Sequence, residues 1–373
     1  MYNERLFTPG PVEIPDRVRE VLGRQIIHHR TEEFRRIFLE VRELLKRLLD
    51  DPSENFVFFS SSGTGAMEAA ILNFFVEGDK VLVINGGKFG ERWLLLARHW
   101  GLDVLEYSVE WGKSADPQKV EETLKRYPEC KGVLLQISET STGSYHPVED
   151  IAQICKNTET LLVADAITAL GVYNLKPSIG IDVLIGGSQK ALMLPPGLSL
   201  LWFSDKARGR LKDRAFYFSV KKELGKQQEG QTAWTPAINL IVALRESLSV
   251  ILEEGMDTIE KKYRAISEGT RKAINSLGLD VFPEKPAICV TAVRTQDAER
   301  IRKELLRHGI RVAGGQDQLK GKIFRISHMG VSDKDGLMFI GMLEVVLRKL
   351  GYSPQLGAGI SEYSETLIRE GLW

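Results

Sequence analysis

A lysine stands where an apolar run gives out. The stretch DVLIGGSQKALMLPPG, residues 182–197, begins as a strand-like pattern and ends in a Pro-Pro-Gly turn, with Lys190 between Gln189 and Ala191. A lysine charge is costly to bury unless it is paired. An amine that must reach a bound electrophile accounts for the placement, because desolvation or a nearby cation lowers its pKa and frees it as a nucleophile. Three further apolar runs end in polar residues of other kinds. LLVADAITALG (161–171) puts Asp165 at a strand end, where it either caps locally or meets an arginine, a helix end or a cationic ligand atom. FFSSSGTGAMEAAI (58–71) is a strand, a small-residue turn and a helix start. Ser62, Gly63, Thr64 and Gly65 there offer backbone N–H groups to a phosphate at a helix N-terminus, or make only a capped turn. GTGAME also begins like the dinucleotide pattern G-x-G-x-x-G, but Glu68 takes the place of the third glycine and cannot supply its close packing. ISETSTGSYHPVED (137–150) gathers hydroxyls at Thr140, Ser141, Thr142 and Ser144, which contact a ring substituent or simply form a loop.

These residues need elements to position them. Short Val/Ile/Leu runs at 55–59, 80–84, 132–138, 160–166, 182–187 and 198–203 alternate with helical patterns near 65–76, 89–99 and 149–156. Continuous apolar strands between helices read as a mostly parallel sheet covered on both faces, and such sheets bind ligands beyond their strand C-termini. Residues 31–50 carry apolar side chains at helical spacing, and 237–275 reads as largely helical. Strands at 288–294 and 322–327, with helices near 296–308 and 333–349, make a smaller α+β unit. The organisation expected is an N-terminal arm (1–20), a large domain (21–255), a small C-terminal domain (256–350) and a tail (351–373), the tail being either a docked helix or loosely ordered. Pro9, Pro11 and Pro15 make the arm extended or turned rather than helical.

Brought to one sheet edge, the anion seat, hydroxyl cluster, aspartate and lysine match the needs of pyridoxal 5'-phosphate. Its phosphate seeks a helix N-terminus, its ring nitrogen a carboxylate, and its aldehyde a lysine for a Schiff base. Arg325, inside KIFRISHMG, has the apolar neighbours Ile323, Phe324 and Ile326. It pairs with a structural carboxylate or with a substrate's. As a substrate clamp it would face solvent or an ordered anion in the empty protein. His28 and His29 precede Arg30 without an accompanying carboxylate or cysteine pattern for metal.

The 373 residues hold 50 Lys plus Arg against 50 Asp plus Glu, a balance that gives no whole-protein attraction to nucleic acid or to an anionic membrane. No apolar run is long enough to span a bilayer, and the first residues lack a signal-peptide pattern. Cys130, Cys155 and Cys289 lie far apart, which fits a reducing cytoplasm rather than a disulfide or zinc framework.

From FTPGPVEIP to FRISHMG, and most specifically in GSQKAL…PPG, the chain resembles the class V aminotransferases of the alanine–glyoxylate/serine–pyruvate branch, fold-type I pyridoxal-phosphate enzymes. The resemblance implies an aminotransferase that moves an amino group from alanine, serine or aspartate to glyoxylate, pyruvate or 2-oxoglutarate by a ping-pong route. Lys190 is then similar to the Schiff-base lysine, with Gln189 beside it, Asp165 to the ring-nitrogen partner, and Thr140 to the hydroxyl near the ring oxygen. Gly63, Thr64 and Gly65 resemble the phosphate loop. Phe89, in NGGKFGERW, stands where relatives stack an aromatic ring on the cofactor, though taken alone it reads as core. Arg325 resembles the arginine that binds the substrate α-carboxylate, and Gly10 lies in the arm lining the substrate space. Thr235, in AWTPAINL, matches a residue that reaches the neighbouring subunit's phosphate, which implies a homodimer with shared sites. Relatives often place a tyrosine three residues earlier, where this chain has Thr232. Rival readings are another fold-type I chemistry, such as a cysteine desulfurase, which needs a mobile-loop cysteine where Cys289 sits in an apolar run, a nicotinamide-dependent dehydrogenase, and a non-catalytic module.

Overall fold

The structure, a computed structural model, describes residues 4–373. Its strands are Arg5–Phe7 (β1), Phe56–Phe59 (β2), Lys80–Asn85 (β3), Asp103–Ser108 (β4), Gly132–Gln136 (β5), Ser138–Glu139 (β6), Ser144–Tyr145 (β7), Leu161–Asp165 (β8), Val183–Gly187 (β9), Ser199–Phe203 (β10), Asp280–Val281 (β11), Val290–Arg294 (β12), Ile310–Gly314 (β13) and Ile323–Ser327 (β14). The larger sheet has the order β2-β10-β9-β8-β5-β3-β4. Strands β9, β8, β5, β3 and β4 pair in parallel, and β10 runs antiparallel to both β9 and β2. Strand β2 therefore points the same way as the parallel set. The turns after β2, β3, β5, β8 and β9 all emerge at one edge, the crevice position of an open α/β sheet.

Alternate residues along these strands feed cores on opposite faces. Leu82, Val133, Leu162 and Leu184 pack on the side of the helix Glu32–Leu49, with Phe34, Phe38 and Val41. Val83, Leu134, Val163 and Ile185 pack on the side of the helix Gly63–Phe74, with Ala66, Met67 and Ala70. Burial on both faces explains why these strands are continuously apolar in the sequence.

The smaller sheet, β1-β13-β14-β12-β11, is antiparallel except where β1 joins β13. The N-terminal arm thus crosses to the C-terminal part of the chain. The arm also departs from the sequence expectation: a helix, Asp16–Leu22, begins immediately after Pro15. Pro15 sits in the cap position, where its missing N–H and fixed φ cost nothing, so the proline run stops helix formation only up to that residue. The span read as largely helical near 237–275 is two helices, Ile238–Glu254 and Met256–Ser276, broken at Gly255 with φ +83°. The tail is ordered as a helix, Ala358–Arg369, with Tyr363 and Leu367 buried. The edge strand β4 and the strand β13 have exposed alternate residues, and carry too little continuous apolar sequence to stand out.

Candidate active site

Each turn at the shared sheet edge delivers a different group. After β2, the helix Gly63–Phe74 starts with Ser62 at its cap position making no side-chain capping bond. A helix start left open in this way presents N–H groups and a positive dipole end to an anion. Close packing of this start requires glycine, because a Cβ on Gly63 would lie 2.3 Å from Ile167 and one on Gly65 would lie 2.6 Å from Ser61 Oγ. At the end of β8, Asp165 is buried, and one of its oxygens accepts a 2.8 Å bond from the Ile167 N–H. Burial pushes its carboxyl up to about 6, against the pull of the Ile167 N–H. After β9, Lys190 extends toward the arm and donates to the Pro9 carbonyl. Burial pulls its ammonium down to about 8, while the Asp165 charge works in the opposite direction. The ammonium still predominates at neutral pH, but the neutral amine is far more accessible than in a free lysine.

These side chains line one cavity of about 160 Å³, which brings together Ser62, Gly63, Thr64, Phe89, Thr140, Asp165, Gln189 and Lys190. Gly10 backs onto it, with φ +124°, and a Cβ there would fall 2.5 Å from Lys190 Nζ. Gly65 supports the turn from behind. Arg325 lies apart from this wall and differs from both expectations. It is 7 % exposed, and it pairs with no carboxylate among the described residues. Its Nε and one terminal nitrogen donate to the Gly314 carbonyl at 3.0 and 2.8 Å, and the other donates to the Thr140 carbonyl at 2.7 Å. The charge is hydrogen-bonded only to carbonyls, and burial holds its guanidinium down at about 10 while the nearby Glu139 charge works in the opposite direction. Thr235 does not line this cavity; it is exposed, next to Trp234 and the 72 %-exposed Phe216, whose ring centroid is 5.2 Å from that of Trp234. Thr232 is buried, its hydroxyl turned to the Trp234 carbonyl. Arg30 donates to Gln231 Oε1 and to the Thr232 carbonyl, and the His28 and His29 rings lie against each other at 4.7 Å, tilted by 35°. Among the described residues no group of three or more His, Cys, Asp or Glu is placed to hold a metal ion.

Sequence reasoning missed four cavity residues, Arg92, Ser138, Ile167 and Thr168. Arg92 donates to Thr64 Oγ1 at 3.1 Å and lies 4.9 Å above the Phe89 ring. Its position three residues after Phe89 on one helix was the available signal. Ser138, buried at the start of the hydroxyl stretch, has an Oγ with no hydrogen-bond partner. Gln189 Oε1 is orphaned in the same way. Two unpartnered polar atoms on the wall of a cavity that also holds a lysine of lowered pKa and a buried carboxylate fit a polar ligand. The lysine amine, carboxylate and open helix start suit an aldehyde, a ring nitrogen and a phosphate, so the residues fit pyridoxal phosphate.

Cys289 is fully buried, and burial pushes its thiol up to about 11, which leaves no thiolate for desulfurase chemistry. Glu68 accepts from Trp100 Nε1 at 3.2 Å and so belongs to helix packing rather than to a dinucleotide turn. Among the described residues no helix is long and apolar enough to cross a membrane, and all three cysteines are unpaired.

Comparison with known proteins bears on family and fold. Residues 19–331 match the family described as Aminotransferase class-V. The soluble hydrogenase 42 kDa subunit of Anabaena cylindrica is 38% identical, over 95% of this chain and 96% of its own length. The serine–glyoxylate aminotransferase of Methylorubrum extorquens is 32% identical, over 97% of this chain and 95% of its own length. The crystal structure of a subgroup IV aspartate aminotransferase from Thermus thermophilus superposes with a TM-score of 0.87 at 35% identity, covering 93% of this chain and 99% of that one. The family match and the relatives cover most of the chain, which belongs to the class V aminotransferases and is a pyridoxal-phosphate-dependent transaminase.

Proposed function

We propose that this transaminase takes the amino group of a small amino acid (alanine, serine or aspartate) and passes it to a 2-oxo acid (glyoxylate, pyruvate or 2-oxoglutarate). The two half-reactions share one site, in ping-pong order. The observation that carries the reading is the pairing, in one cavity, of an amine held near 8 with a carboxylate held near 6. Pyridoxal phosphate supplies an aldehyde that exchanges amines and a ring that accepts the electrons released at the substrate Cα.

In this reading Lys190 anchors the cofactor and moves the proton at Cα, a role that suits a group with both protonation states accessible at neutral pH. Asp165, ionised above about pH 6, holds the proton on the ring nitrogen. Ser62, Gly63, Thr64 and Gly65 seat the phosphate, with Gln189 beside the lysine, Thr140 near the ring oxygen and Phe89 against the ring face. Arg325 binds the α-carboxylate. Its guanidinium is desolvated and hydrogen-bonded to carbonyls but to no carboxylate, with the Glu139 charge acting only at a distance, so a substrate carboxylate supplies the direct ion pair it lacks. Gly10 keeps the arm clear of the lysine. Thr235 reaches the phosphate of a second copy in a homodimer. Its exposure beside the bare aromatic surface of Phe216, Tyr217 and Trp234 supports that reading.

The M. extorquens relative is named for serine and glyoxylate, which makes glyoxylate the first acceptor to test. The experiment is a matrix of amino donors against 2-oxo acids on the purified, cofactor-loaded enzyme, with initial rates at varied donor and acceptor. Parallel double-reciprocal lines with a small donor and glyoxylate are expected. Intersecting lines, or turnover confined to large or amine-only donors, would refute the reading.

A further inference from the structure

The helix Lys88–His99 carries Phe89 and Arg92, yet its own sequence provides no cap. Gly87 precedes it and has no side chain to offer. The missing acceptors come from strand β6 and the turn that follows it, some fifty residues away in the chain. Glu139 Oε2 accepts from the Phe89 N–H at 3.1 Å and from the Gly90 N–H at 3.0 Å. Ser141 Oγ accepts from the Lys88 N–H at 3.1 Å and donates to Glu139 Oε1. The Ser141 N–H closes the arrangement onto the same Glu139 oxygen at 3.2 Å. Glu139 has no exposed surface. Gly87 is what permits the approach, since a Cβ there would lie 2.5 Å from Ser141 Oγ and 2.6 Å from the Glu139 carboxyl carbon.

Burial pushes the Glu139 carboxyl up, and every hydrogen-bond partner, each a donor, together with the positive end of the helix, works against that cost. A capping carboxylate borrowed from another strand also ties two registers together. Glu139 is bonded in sequence to Thr140, whose carbonyl receives Arg325. The same side chain fixes the first turn of the helix on which Phe89 rides. None of its hydrogen bonds goes to Asp165, Lys190 or Arg325, although its charge acts at a distance on Asp165 and Arg325.

We propose that Glu139 is a positioning residue for the cofactor: by capping this helix from β6 it sets Phe89 against the pyridoxal ring. The inference rests on the placement of Phe89 at the ring face proposed above. The fold contains its own control. Glu344, 3 % exposed, caps the helix Ala358–Arg369 in the same way, accepting from the Gly357, Gly359 and Ile360 N–H groups at 2.7, 2.8 and 3.1 Å, in the C-terminal part of the chain and outside the cofactor cavity.

The test compares Glu139→Gln, Glu344→Gln and Phe89→Ala. Melting temperature is measured on the cofactor-free proteins. Pyridoxal phosphate affinity and the visible circular dichroism of the bound cofactor are measured by titration. Both glutamine variants are expected to lower the melting temperature. Only Glu139→Gln and Phe89→Ala are expected to raise the cofactor Kd, by about tenfold or 1.4 kcal/mol, and to change the dichroism. Wild-type Kd and dichroism in Glu139→Gln, alongside a defect in Phe89→Ala, would overturn the proposal. So would equal cofactor defects in the two glutamine variants. Wild-type binding in Phe89→Ala would overturn the placement of Phe89, and the proposal with it. Should Glu139→Gln fail to fold, Ser141→Ala carries the same comparison, because it removes one donor to Glu139 and the acceptor of the Lys88 N–H.

Discussion

Replacing Lys190 by methionine should make the cofactor-free protein more stable while removing its catalytic amine. Burial lowers the Lys190 pKa to about 8 from 10.5 for a free side chain. Below pH 8 the folded protein must hold the ammonium in a place that disfavours it, at a cost of about 3 kcal/mol. In the unfolded chain the lysine keeps its proton up to about 10.5, so the folded state binds fewer protons between those values and its stability rises with pH across that window. Methionine fills similar volume and carries no charge. It also abandons the hydrogen bond to the Pro9 carbonyl, which offsets about 1 kcal/mol. A net gain of about 2 kcal/mol at pH 7 remains, and it should vanish as the pH approaches 10.5. Urea unfolding of the two cofactor-free proteins at pH 7 and pH 10 measures both quantities. A methionine variant no more stable than wild type at pH 7, or a gap that fails to narrow at pH 10, would show that the amine is not held in a desolvated site.

Three more outcomes follow from the geometry. Asp165→Asn should slow the Cα–H step at least about a hundredfold in single-turnover experiments, with cofactor affinity reduced far less; a change confined to substrate affinity would make Asp165 a structural cap. Arg325→Lys keeps the charge but gives up the fork onto the Gly314 carbonyl, so it should destabilise by about 1.5–3 kcal/mol. It should also lower kcat/KM at least roughly tenfold for donors bearing an α-carboxylate; equal losses for amines without one would leave Arg325 a purely structural residue. Gly10→Ala places a methyl 2.5 Å from Lys190 Nζ at a φ of +124°, so it should cost roughly 1–3 kcal/mol and abolish most turnover while the fold persists, whereas wild-type kinetics would remove the arm from the site.

The sequence by itself determined the groups that follow directly from a strand end. Lys190, Asp165, Thr140 and the Ser62–Gly65 turn were legible because a continuous apolar run, a small-residue turn and a polar residue are local signals, and β/α alternation places all such ends on one edge. The start of the arm helix was within reach as well, since Pro15 at a helix cap is a local rule, and counting prolines obscured it. The tertiary structure alone decided how distant segments meet. Arg325 could be read as an inward arginine, but its acceptors are the carbonyls of Gly314 and Thr140, and backbone acceptors leave no trace in residue types. Glu139 sits in a hydroxyl-rich stretch that reads as a loop, and its capping of a helix fifty residues away depends on β5 lying beside β3 in the sheet. Gly10 touches Lys190 only because β1 has crossed to join β13. Local preferences follow from each residue's own backbone and side chain, whereas a buried polar group takes whichever partner the packing brings within about 3 Å, and that choice is made by the fold as a whole.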